Sequence, residues 1–228
     1  KVFQKYDVKV FFYIRNRWDY LISSYSQKVH ATSYHEKLSF FSKNFLTLNY
    51  LSFYREWSGV FSDVEMLPFS RSSLHEKDIV SDFFYRNDID ASDLTAYKKD
   101  ANPSLKYNLL TVKKTINRYY PSLSDKYIYK HFSQLALDEK VDDRILLDDE
   151  ILNMTRCLSV WEDYKLSLMG SDFLEIISDF SLFEKCGSNE LNIELVQRTI
   201  ISIMDAYPTI QIDKDKFLEQ VIGVSNEI

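Results

Sequence analysis

A chain of 228 residues, 45% hydrophobic and 15% aromatic, can bury one sizeable core or two small ones. With 27% charged residues and a net charge of -6, it is neither a disordered polyelectrolyte nor a basic nucleic-acid binder, so any anion site must be local. Its apolar runs are far shorter than the roughly 20 residues that span a bilayer, which excludes a membrane-spanning segment from this sequence.

The run Val8 to Ile14 (VKVFFYI) is short, β-branched, aromatic and continuous rather than alternating, the pattern of a strand buried on both faces, and predicts a central strand of a parallel sheet. It breaks at Arg15-Asn16. Trp18, Leu21, Ile22 and Tyr25 then recur at helical spacing, with Asp19 where the positive end of a helix dipole favours a carboxylate. Helical patterns follow over His35 to Phe45 and Leu48 to Trp57, and Asp63 to Phe69 (DVEMLPF) reads as a second strand. Ser70 to Ser73 makes its exit turn. Leu74, Ile79, Val80, Phe83 and Phe84 predict a helix after it, repeating the order strand, turn, helix.

Asp88 to Pro103 is polar and turn-forming and predicts a surface loop. Everything beyond reads as helix, over Leu105 to Tyr120, Ser124 to Leu137, Asp148 to Leu168, Asp172 to Phe183, Glu190 to Ala206 and Asp213 to Val221. The expected class is α/β, a short parallel sheet flanked by helices over residues 1–120, then a mainly helical region over 121–228. That region belongs to the same domain or forms an appendage, with a boundary near Pro121 to Ser124.

Four isolated glycines, Gly59, Gly170, Gly187 and Gly223, provide no phosphate-cradling loop, which needs several converging backbone N–H groups. His30, His35, His75 and His131 show no HxxxH or HExxH spacing, and no metal site is expected. Cys157 and Cys186 lack CxxC spacing and fit reduced core thiols, which points to the cytoplasm, with attachment to a membrane surface left open. The sequon Asn153-Met-Thr155 falls inside a predicted helix, and the acidic run Asp142 to Glu150 suits a helix start.

Chemistry concentrates in Tyr13 to Gln27 (YIRNRWDYLISSYSQ), which sets an arginine at a strand end and a serine eight residues later on the helix. The Arg15 fork offers two parallel N–H donors to phosphate oxygens and the Ser23 hydroxyl a third, beside the positive end of a helix. The bland alternative is a strand-end arginine in a surface ion pair and an ordinary helix serine.

The segment resembles the 3'-phosphate motif of sulfotransferases that use 3'-phosphoadenosine 5'-phosphosulfate (PAPS), in which a strand ending in Arg-Asn/Asp-Pro leads into a helix with serine at the same offset. Arg15 and Ser23 match, Arg17 stands where proline is commonest, and Ser23 to Gln27 resembles the Ser-x-Tyr-x-Gln of bacterial and carbohydrate sulfotransferases. Phe69 to Phe83 (FSRSSLHEKDIVSDF) and Asn102-Pro-Ser104-Leu105 follow in the family's order, so the resemblance covers Val8 to Asn117.

It implies an incomplete P-loop-like sulfotransferase fold that moves a sulfuryl group from PAPS, as co-substrate, to a hydroxyl or amine of a saccharide. It also implies 3'-phosphate contacts from Arg15 and Ser23, and sets Phe69 and Arg71 where the family's turn approaches the adenosine; core packing for Phe69 and a solvated Arg71 are the equal alternatives. Gln27, Lys28 and His30 lie further along the motif helix, where the choice is between a solvated face, the ordinary place for polar residues, and one turned to the acceptor or sulfate. The 5'-phosphosulfate loop and the usual base lie upstream in the family, so no catalytic residue carries over, and the chain is expected to be a C-terminal part of the enzyme or a remnant without turnover. Two rival classes stay open: a glycosyltransferase or nucleotide-sugar enzyme, and a non-catalytic interaction domain whose helical region after Tyr120 forms a homo-oligomer or partner surface and whose anion site is vestigial.

Overall fold

The computed structural model describes residues 6–45, 49–70, 72–90, 104–123, 126–138, 166, 173, 190–209 and 211–228. Two strands and eight α-helices lie among them, giving a mostly helical α/β protein with a parallel two-stranded sheet. The chain divides into two compact units, one of Lys1–Tyr20, Phe45–Lys98 and Asp149–Glu184, the other of Leu21–Asn44, Lys99–Asp148 and Lys185–Ile228. The turn at Pro121–Leu123, near the expected boundary, joins two helices of the second unit.

In the first unit, β1 (Lys9–Ile14) pairs in parallel with β2 (Asp63–Pro68), with Lys9 opposite Asp63 and Ile14 opposite Pro68. Period-2 alternation sends Phe12 and Ile14 to one face, where they join Met66, Leu166 and Phe173, with Tyr50, Leu51 and Tyr54 of α3 (Tyr50–Ser58) packed against them. Phe11 and Tyr13 take the other face, where Phe11 meets Phe83 of α4 (Ile79–Arg86) edge to face at 5.9 Å. Neighbours lie on both faces, but only Ile14 of β1 is buried and among the described residues β1 pairs with β2 alone, so the buried central strand that the continuous apolar run predicts is met only in its parallel pairing.

The helix predicted from Leu74 onward starts later. His75–Lys77 is a single 3-10 turn in which Glu76 and Lys77 have positive φ angles of 51° and 59°, and Asp78 then caps α4 by accepting from Val80 N and Ser81 N at 2.9 and 3.0 Å. Two left-handed residues cannot continue a right-handed helix, and the Asx cap restarts it.

The second unit is built on α5 (Tyr107–Tyr119), buried along its first eleven residues although it carries Asn108, Lys113, Lys114 and Asn117. α6 (Lys126–Asp138), α7 (Ile193–Ala206) and α8 (Lys214–Ser225) pack on it. Lys113 Nζ and Asn117 Nδ2 donate to the Val29 carbonyl at 3.3 and 2.8 Å, and Lys113 also reaches the Thr32 carbonyl. These are orphan acceptors at the C-terminal end of α1 (Arg17–Ala31), so a cation and an amide complete the helix from outside. The first half of the same unit holds α2 (Leu38–Phe45).

No described helix is long and apolar enough to cross a membrane. The predicted helices over Asp148 to Leu168 and Asp172 to Phe183 lie outside the described residues apart from Leu166 and Phe173, as do Cys157, Cys186, the sequon and the acidic run from Asp142.

Candidate functional site

In the first unit the chain leaves β1 through Arg15 and Asn16. The Asn16 Oδ1 accepts from Trp18 N at 2.9 Å and from Asp19 N at 3.4 Å, so the residue that ends the strand also caps α1. Arg15 is half-buried, and its backbone carbonyl is fixed by the Tyr50 hydroxyl at 3.1 Å. Its guanidinium carbon stands 6.0 Å from the Phe69 ring centroid, at the outer limit of cation–π attraction. No described carboxylate lies within ion-pair distance of that guanidinium.

Phe69 follows β2 directly and donates its N–H to the Ile14 carbonyl at 2.6 Å, which extends the ladder by one bond and sets its ring beside Arg15. The turn after it closes on its own hydroxyls: Ser73 Oγ donates to the Pro68 carbonyl at 3.1 Å and stands 2.7 Å from Ser70 Oγ. Arg71 lies outside the described residues.

Next to this turn is a charge centre that the sequence pattern did not single out. Asp82, 1% exposed, accepts from the Tyr13 hydroxyl at 2.7 Å, the Arg86 Nε at 2.7 Å and the His75 N–H at 2.9 Å. Burial alone would raise the Asp82 pKa, but Arg86, the His75 N–H and the Tyr13 hydroxyl outweigh it and hold the carboxyl below its ordinary range. Burial and the same carboxylate push the Tyr13 phenol up to about 12. With every partner supplied by the unit itself, this centre ties β1 to α4. An acid at an apolar-helix position was the signal for it.

In the second unit, Ser23 lies on α1 with its hydroxyl 3.5 Å from that of Ser104, and Ser26 donates to the Leu105 carbonyl at 3.0 Å. The serines of the helix motif thus meet the Ser-Leu pair that follows Asn102 and Pro103, two residues outside the description. Tyr25 is fully buried, with its hydroxyl on the Glu36 carbonyl at 2.8 Å and its ring against Tyr34 and Phe41. It is a core residue of the unit. His30 is buried too, at 1% exposed, stacked 4.1 Å from the Tyr129 ring with Nε2 at 2.9 Å from the Tyr129 carbonyl. It therefore faces the interior rather than an acceptor, because residue 30 falls on the inner stripe of α1 with Tyr25 and Val29.

Gln27 and Lys28 do reach the surface. With Ser23, Thr32, Phe41 and Ser104 they line an open groove of about 450 Å³. Among the described residues no three His, Cys, Asp or Glu side chains converge as a metal site would require.

No protein-family model, curated protein or solved structure matches this chain.

Proposed function

We propose that this chain is the 3'-phosphate-binding part of a PAPS-dependent sulfotransferase whose acceptor is a saccharide, with a P-loop-like sulfotransferase fold. Arg15 takes the 3'-phosphate as a bidentate donor, Ser23 adds a hydroxyl, and Phe69 lies against the adenosine. The observation that carries the reading is the state of Arg15. It is half-buried at the end of a parallel strand, directly before an Asn-capped helix, beside an aromatic ring and without a described carboxylate partner. The C-terminal end of a parallel strand that runs into a helix start is where α/β proteins receive phosphates. An arginine serving stability alone would be expected to hold a carboxylate, as Arg86 holds Asp82.

Calorimetric titration with adenosine 3',5'-bisphosphate, AMP and UDP tests this. The bisphosphate should bind selectively, and Arg15→Ala should weaken it about tenfold or more, the loss of about 1.5 to 3 kcal/mol from one charged hydrogen-bonded contact. Equal affinity for AMP and the bisphosphate, or an unchanged Arg15→Ala variant, would refute the clamp. Preference for UDP would turn the reading toward a nucleotide-sugar enzyme.

A further inference from the structure

The groove on α1 shares Ser23 with the phosphate clamp, but Gln27, Lys28, Phe41 and Ser104 have no part in it. Gln27 and Lys28 stand side by side one turn beyond Ser23 on α1, so that from Ser23 to Lys28 the wall rises about 7.5 Å along the axis. Ser104 and Phe41 complete the lining, and Thr32 lies a turn beyond Lys28. Phe41 is held by Tyr25 and Tyr34 at ring distances of 5.5 and 6.0 Å, which makes it a fixed wall. The side chains of Gln27 and Lys28 are exposed, and neither makes a hydrogen bond or ion pair among the described residues.

We propose that this groove binds an acidic saccharide unit, one that bears a sulfate, phosphate or carboxylate, with Lys28 on the anion and Gln27 and Ser104 on ring hydroxyls. Three features select that class. The described lining carries a lysine and no carboxylate, which attracts an anion even on a protein of net charge -6. A volume of about 450 Å³ is far larger than a lone anion needs and lies within the range of small-molecule sites. Hydroxyls and an amide facing a fixed aromatic wall match a sugar, which offers hydroxyls at its rim and C–H groups on its face. That the bound sugar is the acceptor rests on the sulfotransferase reading; the binding itself does not.

The test is a nitrogen–proton NMR titration of the whole chain with N-acetylglucosamine 6-sulfate, N-acetylglucosamine and inorganic sulfate, repeated for Lys28→Glu and Gln27→Ala. Both positions are exposed, so the variants keep the fold. The sulfated sugar should shift the amides of Ser23, Gln27, Lys28 and Ser104. Lys28→Glu should weaken it at least tenfold, and Gln27→Ala severalfold. No shift at those amides, or equal binding by Lys28→Glu, overturns the proposal. Inorganic sulfate binding as tightly as the sulfated sugar also overturns it, because the groove would then read only charge.

Titration of the same samples with adenosine 3',5'-bisphosphate separates the two readings. Sugar binding at the groove without bisphosphate binding leaves the groove standing and removes the sulfotransferase. Bisphosphate binding that depends on Arg15, without sugar binding, does the reverse.

Discussion

Arg15 and Asp82 are two charged residues near the same sheet with opposite assignments. Asp82 has its complement filled by Tyr13, Arg86 and the His75 N–H, so its work is structural. Asp82→Ala would leave the Tyr13 hydroxyl and the His75 N–H without their acceptor and Arg86 with Glu65 alone, 3.5 Å away, and should cost about 3 kcal/mol in urea unfolding. The pH dependence has a definite sign. Its folded pKa is depressed, so the stabilisation is complete above the unfolded value of 3.8 and is lost as pH falls below it. Acid unfolding should therefore lose part of its slope below about pH 4 in Asp82→Asn. A variant whose acid limb matches the parent would show that the carboxylate contributes nothing. In the sequence Asp82 was legible only as a polar letter within an apolar helix, since its three partners come from residues 13, 75 and 86.

At the scale of elements, α5 departs furthest from what amphipathicity suggests. A helix with two adjacent lysines normally keeps that face in water, yet Lys113 and Lys114 are buried at 1% and 0% exposure. Lys113 is satisfied by the end of α1, whereas Lys114 donates to the Glu227 carbonyl at 3.2 Å. Burial drives the Lys114 pKa down to about 8, with Glu227 opposing the shift. A lysine with a depressed folded pKa binds fewer protons in the native state than in the unfolded one. Its penalty is thus present in full below about pH 8 and is relieved as pH rises toward its unfolded value of 10.5. Stability should climb by about 3 kcal/mol over that window. Lys114→Met should raise Tm at pH 7 and flatten the climb, as a thermal-unfolding series from pH 7 to 10 would reveal. A Tm drop at pH 7 would mean that the contact with Glu227 outweighs the desolvation.

For the whole molecule, the two units differ in how their backbone is covered. Residues 107–117 of α5 are buried without a break, whereas Val10 to Tyr13 of β1 are only half-buried in a sheet of two described strands. Native-state hydrogen exchange should find the amides of residues 111–117 at least tenfold better protected than those of Val10 and Phe12. Equal protection would mean that the two units open together as one cooperative body.

Local chemistry was enough to determine the order of elements. The continuous apolar run over residues 8–14 specified a parallel strand, though not how deeply it is buried, and 3.6-residue periodicity marked α5 to α8, whereas Asn16 and Asp78 fix where α1 and α4 begin because their side chains reach N–H groups two or three residues on. These are interactions within about four residues, which a sequence carries in full. The burial of His30 and of two lysines, the exposure of Gln27 and Lys28 on one groove, and the filled complement of Asp82 were decided only by tertiary structure. These depend on partners far along the chain, such as Tyr129 for His30, Glu227 for Lys114 and, beside its local partner Arg86, Tyr13 for Asp82. Whether a polar side chain is a hinge of the core or a hand held out to a ligand is set by those distant partners, because burial makes an unmet charge costly and an exposed one available.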